Sequence, residues 1–313
     1  MKTITSSSPT SAPGTSAASA TPRDLPALRI WREYRRSKLA LIGLVVILGL
    51  VAVALLAPWL SPQNPYDLAQ LDFRDGRLQP GSAASSGHLT YLLGTDDQGR
   101  DMLSGIMYGL RTSLGIGFAS ALIAGVIGTL LGMVAAYFGG RTDSIVMRIV
   151  DLHLSFPAIL VALMILAALG KGIGNVMLAI IIVEWAYYAR TVRGSALVER
   201  RKEYIEAAEG LGLSSMRILI RHMLPNCLPP LIVVFTLQVA RAISLEATLS
   251  FLGLGVPITE PSLGLLISNG FQYLFSGEYW ITFYPGIALM LTIVAINLVG
   301  DQLRDALNPR LQR

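Results

Sequence analysis

Six long apolar segments decide which folds this sequence can adopt. A helix needs about 20 mostly apolar residues to cross the ~30 Å hydrocarbon layer of a membrane, because each residue adds about 1.5 Å. The segments that meet or approach this length are 39–60, 112–140, 152–170, 173–188, 227–248 and 280–300. Pro157 lies inside the third, where we expect a kink because its ring removes a backbone donor. The sequence therefore predicts an all-α polytopic membrane protein with six transmembrane helices.

The composition excludes most classes of soluble protein. Hydrophobic residues make up 53% of the 313 residues, charged residues make up 14%, and the mean hydropathy is +0.56. Soluble domains carry about 25% charged residues, so this chain has too few polar side chains to cover a water-facing surface of its size. A disulfide-stapled secreted fold is excluded as well, because Cys227 is the sole cysteine.

The positions of Lys and Arg predict how the chain lies in the membrane. Of the 25 basic residues, 19 fall in one alternating set of connecting segments and five in the other, and Arg241 lies within a span. Basic residues are retained on the cytoplasmic side, so we expect both termini in the cytoplasm. The basic pI of 9.4 then follows from membrane topology and gives no support to nucleic-acid binding.

The remaining segments complete the predicted organisation. The Ser-, Ala- and Pro-rich residues 1–24 predict a disordered tail, and 25–38 alternates apolar and Arg side chains. That alternation fits either an amphipathic helix lying in the membrane interface or a plain positive flank. The other predicted units are an extracytoplasmic loop at 61–111, a five-helix core at 112–300 that includes a cytoplasmic loop at 199–226, and a cytoplasmic C-terminus at 301–313.

Few residues are suited to catalysis. The three histidines fall in three different segments, and neither a zinc-protease motif nor a nucleophile elbow is present. No phosphate-binding loop of the Walker type occurs, so we expect no ATP hydrolysis, cofactor or metal in this chain. An intramembrane hydrolase would need a nucleophile–base pair, which we do not recognise here. If the energy of ATP is used, it must come from a partner.

The cytoplasmic loop 199–226 carries two short amphipathic patterns. In the first, Tyr204, Ala207, Ala208 and Leu211 form an apolar stripe at helical spacing, and Gly210 and Gly212 end it. A second helix is predicted after a Ser214 or Ser215 cap, and Pro225 is expected to separate it from the fifth span. Two helices at a glycine corner suit docking in a groove of a partner, although a loop packed on its own bundle is the alternative.

The same loop resembles that of a known family. Glu206-Ala207-Ala208, Gly212 and Leu224-Pro225 are similar to the EAA motif, E-A-A-x3-G-x9-I-x-L-P, of permease subunits of bacterial ATP-binding-cassette importers, with His222 in place of Ile. A second set of residues resembles the signature G-T-D-x-x-G-R-D of the peptide/nickel branch of that family. They are Gly94, Thr95, Asp96, Gly99, Arg100 and Asp101. The resemblance extends over about 29–310 and is strongest to the C-type permease of dipeptide or oligopeptide importers.

The resemblance implies a MetI-like type I importer fold, a bacterial inner-membrane location and a set of partners. These are a homologous second permease, two cytoplasmic ATPase subunits that bind ATP and Mg, and an extracytoplasmic substrate-binding protein. The resemblance also implies that seven residues couple this chain to the ATPases. They are Tyr204, Glu206, Ala207, Ala208, Gly212, Leu224 and Pro225. The implied cargo is a peptide, with a nickel complex or another small solute as alternatives. It also places the 94–101 signature near the mouth where the binding protein docks, whereas a solvated Asp-rich turn is the plain alternative.

Charged residues inside the predicted spans are candidates for the translocation pathway, because each costs at least ~2.5 kcal/mol at the bilayer centre. Glu184 and Arg241 are expected either to form a buried pair or to line the pore, where Arg241 would meet a zwitterionic substrate. By resemblance, Glu246 and Phe251 belong to the outer gate. An ion-coupled secondary transporter working alone is the rival reading, with Glu184 and Glu246 titrating, but it does not account for the loop 199–226.

Overall fold

The computed structural model of the chain describes residues 37–65, 67 and 71–307, together with Arg32, Tyr34 and Arg35. The predicted tail 1–24, most of the segment 25–38 and the last six residues lie outside the described residues. Within this part of the chain the fold is almost entirely helical. Its helices are α1 Lys38–Leu60, α2 Met102–Phe138, α3 Gly140–Leu154, α4 Ala158–Leu169, α5 Ile173–Arg200, α6 Glu203–Gly210, α7 Ser215–Phe251, α8 Leu263–Phe271 and α9 Trp280–Leu307.

Five of these helices are long and apolar enough to cross a membrane: α1, α2, α5, α7 and α9. A sixth crossing exists if α3 and α4 are counted together, since the pair passes the same test across a break with an 86° bend. The predicted third span, 152–170, is therefore wrong as a single kinked helix. Pro157 lies directly before α4, whose 12 residues extend only about 18 Å and cannot cross alone.

The second helix begins ten residues earlier than its apolar composition predicts. α2 starts at Met102, inside the segment expected to be an extracytoplasmic loop, because Asp101 caps it: its carboxylate accepts from the Ser104 amide at 2.8 Å. Met102, Ile106 and Leu110 on this first part of α2 are buried. The helix has 37 residues and extends beyond a ~30 Å hydrocarbon layer.

The predicted break at Pro225 is also wrong. α7 continues without interruption from Ser215 to Phe251, through a π-helical segment at Ile218–Met223. In that segment the Leu224 amide donates to the Leu219 carbonyl, five residues back. The wider turn lies directly ahead of Pro225 and accommodates a residue that has no amide hydrogen.

Glycines bring α2 against its neighbours within the same chain. A Cβ on Gly128 would meet the Trp185 carbonyl, the Tyr188 Cβ at 2.6 Å and the Ala189 amide at 2.9 Å, all on α5. Gly117, Gly125 and Gly132 are similarly close to α5 or α7, whereas nothing lies within 4 Å of Gly115. The glycine-rich second span therefore packs helices, as small residues do in membrane bundles.

The bundle has two distinct ends. At one end, which we call the signature end, lie the described residues of 61–65, 67, 71–101, 170–172 and 252–279. They include the two-residue strands β1 Ser82–Ala83 and β2 Thr90–Tyr91, which pair antiparallel. The other, the loop end, holds the turn at 139–140 and the segment 201–214 with α6. The two groups of candidate residues, 94–101 and 204–225, thus lie at opposite ends of the bundle.

Candidate functional site

The helix α6 is anchored on the bundle by the face that carries Ile205 and Ala208. Ile205 and Ala208, both nearly inaccessible, pack into a cluster with residues of α2, α5 and α7. Of the predicted stripe only Ala208 is buried; Ala207 is exposed and Leu211 is 80% exposed. Most of the predicted stripe is therefore exposed, because the ends of α2 and α5 meet the helix on the side of Ile205.

Tyr204 connects three helices at the loop end. Its hydroxyl donates to Glu199 Oε2 of α5 at 2.7 Å and accepts from Asn226 Nδ2 of α7 at 3.0 Å. Glu199 also pairs with Lys202 at 2.6 Å. Burial, followed by the hydrogen bond to Glu199, raises the pKa of Tyr204 to about 12. Tyr204 therefore keeps its proton at neutral pH and holds α6 against both neighbouring helices.

Gly212 forms the corner between α6 and α7. Its φ is +72°, a conformation that residues with a Cβ rarely adopt, and its amide donates to the Glu209 carbonyl at 2.9 Å. The Leu213 amide then donates to the Ala208 carbonyl at 3.2 Å, which closes the turn. The position of α7 relative to α6 thus depends on a backbone conformation that glycine supplies.

The outer face of this corner is exposed and combines acidic, apolar and basic side chains. We call it the coupling surface, and its residues are Glu203, Glu206, Glu209, Leu211, Met216, Arg217, Ile220 and Arg221. Leu211, Met216 and Ile220 are 80%, 65% and 54% exposed. Of the other predicted coupling residues, Pro225 is exposed and Leu224 is half-buried. An exposed apolar patch bordered by charges is typical of an interaction site.

The signature 94–101 is buried and joins distant segments at the opposite end. The Thr95 hydroxyl accepts from the Leu78 amide at 2.8 Å, and the Thr95 backbone carbonyl accepts from Trp280 Nε1 at 3.1 Å. Asp101, besides capping α2, donates its amide to Gln63 Oε1 at 2.7 Å. Gly94 and Gly99 have φ values of +78° and +77°. The Asp-rich region is thus a packed structure and not a solvated turn.

Asp96 and Arg100 form the centre of that structure. Asp96 Oδ1 accepts from the amides of Gln98 at 2.8 Å and Arg100 at 2.9 Å. Asp96 Oδ2 has no hydrogen-bond partner and lies 3.8 Å from Arg100 Nε. Arg100 also donates to the Ile258 carbonyl at 3.4 Å, across the bundle end. Burial raises the pKa of the Asp96 carboxyl to about 6, against the opposing effect of the Arg100 and Gln98 contacts.

Glu246 joins α7 to α2 near the signature end. Its side chain is fully buried and accepts from Ser113 Oγ of α2 at 2.8 Å and from Ser250 Oγ at 2.7 Å. Ser113 Oγ also accepts from the Leu263 amide at the start of α8, at 3.3 Å. Phe251, at the end of α7, is 37% exposed and stacks edge-on with Phe271 of α8 at 5.6 Å between centroids. The predicted gate residues therefore lie where α7 contacts α2 and α8.

Glu184 and Arg241 do not form the buried pair that was one of the two expectations. Glu184, which is 1% exposed, accepts from Gln238 Nε2, one turn before Arg241 on α7. Arg241 is exposed; its Nη2 donates to Tyr187 Oη at 3.1 Å, and its guanidinium lies 4.2 Å from the Tyr187 ring centroid. Each charged side chain instead contacts an uncharged polar side chain of the other helix.

Four residues of these sites were not predicted from the sequence: Gln63, Tyr187, Gln238 and Trp280. Two of them had a usable signal. Tyr187 follows Glu184 by three residues and Gln238 precedes Arg241 by three, a spacing that places each polar side chain beside the charge on one helix. Gln63 and Trp280 contact Asp101 and Thr95, which are far from them in the sequence, so no local pattern could have indicated these contacts.

Comparisons with known proteins place this arrangement in context. The family described as "Binding-protein-dependent transport system inner membrane component" matches residues 128–313, and "N-terminal TM domain of oligopeptide transport permease C" matches residues 26–80. The chain is 39% identical to the di/tripeptide transport system permease protein DppC of Pseudomonas aeruginosa (strain UCBPP-PA14) over 287 residues, covering 92% of this chain and 93% of that protein.

Further relatives and a solved structure give the same picture. The chain is 39% identical to the dipeptide transport system permease protein DppC of Escherichia coli (strain K12), covering 92% of this chain and 94% of that protein. Against a putative peptide transport system permease protein of Brucella suis, identity is 42% with coverage of 90% and 91%. An inward-facing structure of the MetNI methionine ABC transporter superposes with a TM-score of 0.54 at 22% identity, covering 66% of this chain and 98% of that chain.

Proposed function

The chain belongs to the family of binding-protein-dependent transport system inner membrane components, and we propose that it forms half of the translocation pathway of an ATP-driven peptide importer. Its fold is that of the permeases of type I ABC importers, as the sequence predicts. The peptide cargo is proposed because relatives at 36% to 42% identity over most of the chain are named as peptide or dipeptide permeases.

The coupling surface is the observation that carries the mechanism. It presents Glu206 on the short helix α6, with Leu211 after that helix and Met216 and Ile220 at the start of α7. Ile205, Ala208 and Tyr204 fix α6 to the ends of α2, α5 and α7. A force applied to α6 by a partner is therefore transmitted to three membrane helices through packed contacts. We propose that two ATPase subunits bind this surface, that the loop end faces the cytoplasm, and that ATP and Mg are bound by those partners alone.

The signature end is proposed to face the extracytoplasmic substrate-binding protein. Its rigidity supports this role, since Thr95, Asp101 and Arg100 join the start of α2 to α9 and to the loop before α8. A second, homologous permease would supply the other half of the pathway. We propose the inner membrane of a bacterium as its location, with both termini in the cytoplasm.

Co-purification in mild detergent tests the proposal. We expect a second permease and two ATPase chains to accompany this chain, and vesicles containing the whole assembly to take up dialanine only with ATP and the binding protein. Uptake by the isolated chain in ATP-free liposomes driven by an ion gradient would instead establish the secondary carrier. The carboxylates which that carrier would use, Glu184 and Glu246, are both buried and hydrogen-bonded, so the transport assay and not their contacts decides between the two functions.

A further inference from the structure

One face of α7 carries polar residues where a lipid-facing helix would be apolar. Pro230, Val234, Leu237, Arg241, Ser244 and Thr248 follow one another at intervals of four or three residues and so lie along one face. Arg241 and Ser244 are exposed, and Thr248 is partly exposed. An Arg in the interior of a span is costly unless it meets water or a partner charge, so this face does not lie against lipid.

The charge of Arg241 is not neutralised by a carboxylate in contact with it. The ion pairs found among the described residues do not include Arg241. The nearest acidic residue on α5, Glu184, accepts from Gln238. The Tyr187 hydroxyl accepts from one of the five guanidinium N–H donors of Arg241, and the Tyr187 ring centroid lies 4.2 Å from the guanidinium carbon, within range of a cation–π interaction. Donors in a planar fork therefore remain available on an exposed cation.

A cavity of about 670 Å³ continues this face toward the loop end. It is lined on α7 by Pro230, Val234 and Leu237, the last lying one turn before Arg241. On α5 it is lined by Thr191, which lies one turn after Tyr187. Both helices thus connect the cavity to the Arg241–Tyr187 pair. The cavity wall is mostly apolar, and its polar side chains are Thr191, Asn226 and, from α9, Arg304, so the cavity has room for small side chains between Arg304 and the Arg241–Tyr187 pair.

We propose that the Arg241 guanidinium, held by Tyr187, binds the carboxylate of a peptide as it passes along this face. The proposal rests on the proposed function and adds a chemical feature of the cargo, a free carboxylate. A planar guanidinium pairs with a carboxylate through two parallel hydrogen bonds, which an amide cannot reproduce. Gln238 is a positioning residue in this arrangement, since it keeps Glu184 engaged and away from the guanidinium.

Cysteine labelling in the complete assembly tests the proposal. With the buried Cys227 replaced by Ala, a Ser244→Cys variant places a single thiol one turn from Arg241. We would measure its reaction rates with an anionic sulfonatoethyl and a cationic trimethylammonioethyl methanethiosulfonate. The matched control is Ile232→Cys, which is exposed on the opposite face of α7.

The expected result is that Ser244→Cys reacts faster with the anionic reagent. Adding Arg241→Gln should lower the anionic-to-cationic rate ratio about fivefold or more, as expected for one nearby unit charge. Arg241→Lys should keep the ratio, and it guards against a general loss of folding. An unreactive Ser244→Cys would show that this face is covered by a partner, and an unchanged ratio would show that Arg241 does not act there; either result overturns the proposal.

The ligand is tested with dialanine and dialanine amide, which differ at the carboxylate. Excess dialanine should slow labelling of Ser244→Cys by at least threefold, while the amide should not, and Arg241→Lys should weaken the protection. Equal effects of the two compounds, or none, would overturn the carboxylate assignment. These outcomes are separable from those for the proposed function, because co-purification of the assembly and its ATP dependence do not involve residue 241.

Discussion

At the scale of single residues, the Asp96 carboxyl makes the signature end sensitive to pH. Its pKa is raised to about 6, so protonation favours the folded state. The protonated carboxyl contributes its full stability below about pH 3.9, the pKa of Asp in the unfolded chain. That stability is lost as the pH rises through about 6, the pKa in the folded state. A shift of about two units corresponds to about 3 kcal/mol. We expect the thermal midpoint of the complex to fall across this range.

The variant Asp96→Asn should remove that pH dependence without disturbing the structure. The amide oxygen of Asn can accept from Gln98 and Arg100 as Asp96 Oδ1 does, and an uncharged NH2 group replaces Oδ2, which makes no hydrogen bond and lies 3.8 Å from Arg100 Nε. Thermal unfolding of the purified complex on both sides of pH 6 measures the effect. Asp72→Asn, at an exposed carboxylate of the same segment, is the control and should leave the dependence intact. A pH profile unaltered by Asp96→Asn would contradict the argument.

At the scale of elements, the contact between α2 and α5 depends on glycine. The change Gly128→Ala would place a methyl group 2.6 Å from Tyr188 Cβ and against the Trp185 carbonyl, so the helices must separate. Overpacking of this kind costs about 1–3 kcal/mol. We expect a lower thermal midpoint and less assembled transporter in the membrane. Detergent-solubilised complexes can be compared directly by thermal unfolding.

The same helix supplies the matched control for that experiment. Nothing lies within 4 Å of a Cβ built on Gly115, so Gly115→Ala should gain about 0.5–1 kcal/mol through helix propensity. If both substitutions had the same effect, close packing of α2 on α5 would not be the reason for glycine at position 128.

At the scale of the whole molecule, Gly212 sets the angle at which the coupling surface meets the membrane helices. Gly212→Ala strains the backbone at φ +72° by about 1–2 kcal/mol and shifts α6 relative to α7. We expect the assembly to retain ATP hydrolysis but to lose most of its uptake, with the affinity of the binding protein for its ligand unchanged. Parallel ATPase and uptake assays in vesicles give the coupling ratio.

A glycine two residues earlier provides the comparison. Gly210 ends α6 without a positive φ, and nothing lies near a Cβ built there, so Gly210→Ala should keep the wild-type ratio. Normal uptake by the Gly212→Ala variant would rule out the corner as part of the coupling mechanism.

The sequence was sufficient for the first and the last span, because apolar composition is a local property. Segments such as 39–60 and 280–300 cross a hydrocarbon layer whatever surrounds them, and the structure has helices there, at Lys38–Leu60 and Trp280–Leu307. Local information failed where a neighbour decides the outcome. The Asp101 cap lengthened α2, the 86° bend divided the third span, and the π turn carried α7 past Pro225.

The sequence by itself was therefore enough to predict a helical membrane permease and to locate the two motif segments at 94–101 and 204–225. Hydropathy and motif spacing depend only on the order of residues along the chain. Only the tertiary structure decided which face of α6 is buried, and that Glu184 meets Gln238 while Arg241 meets Tyr187. The reason is geometric. Such pairings depend on how each helix is rotated and how closely it approaches the next, and contacts such as Gly128 with α5 set both.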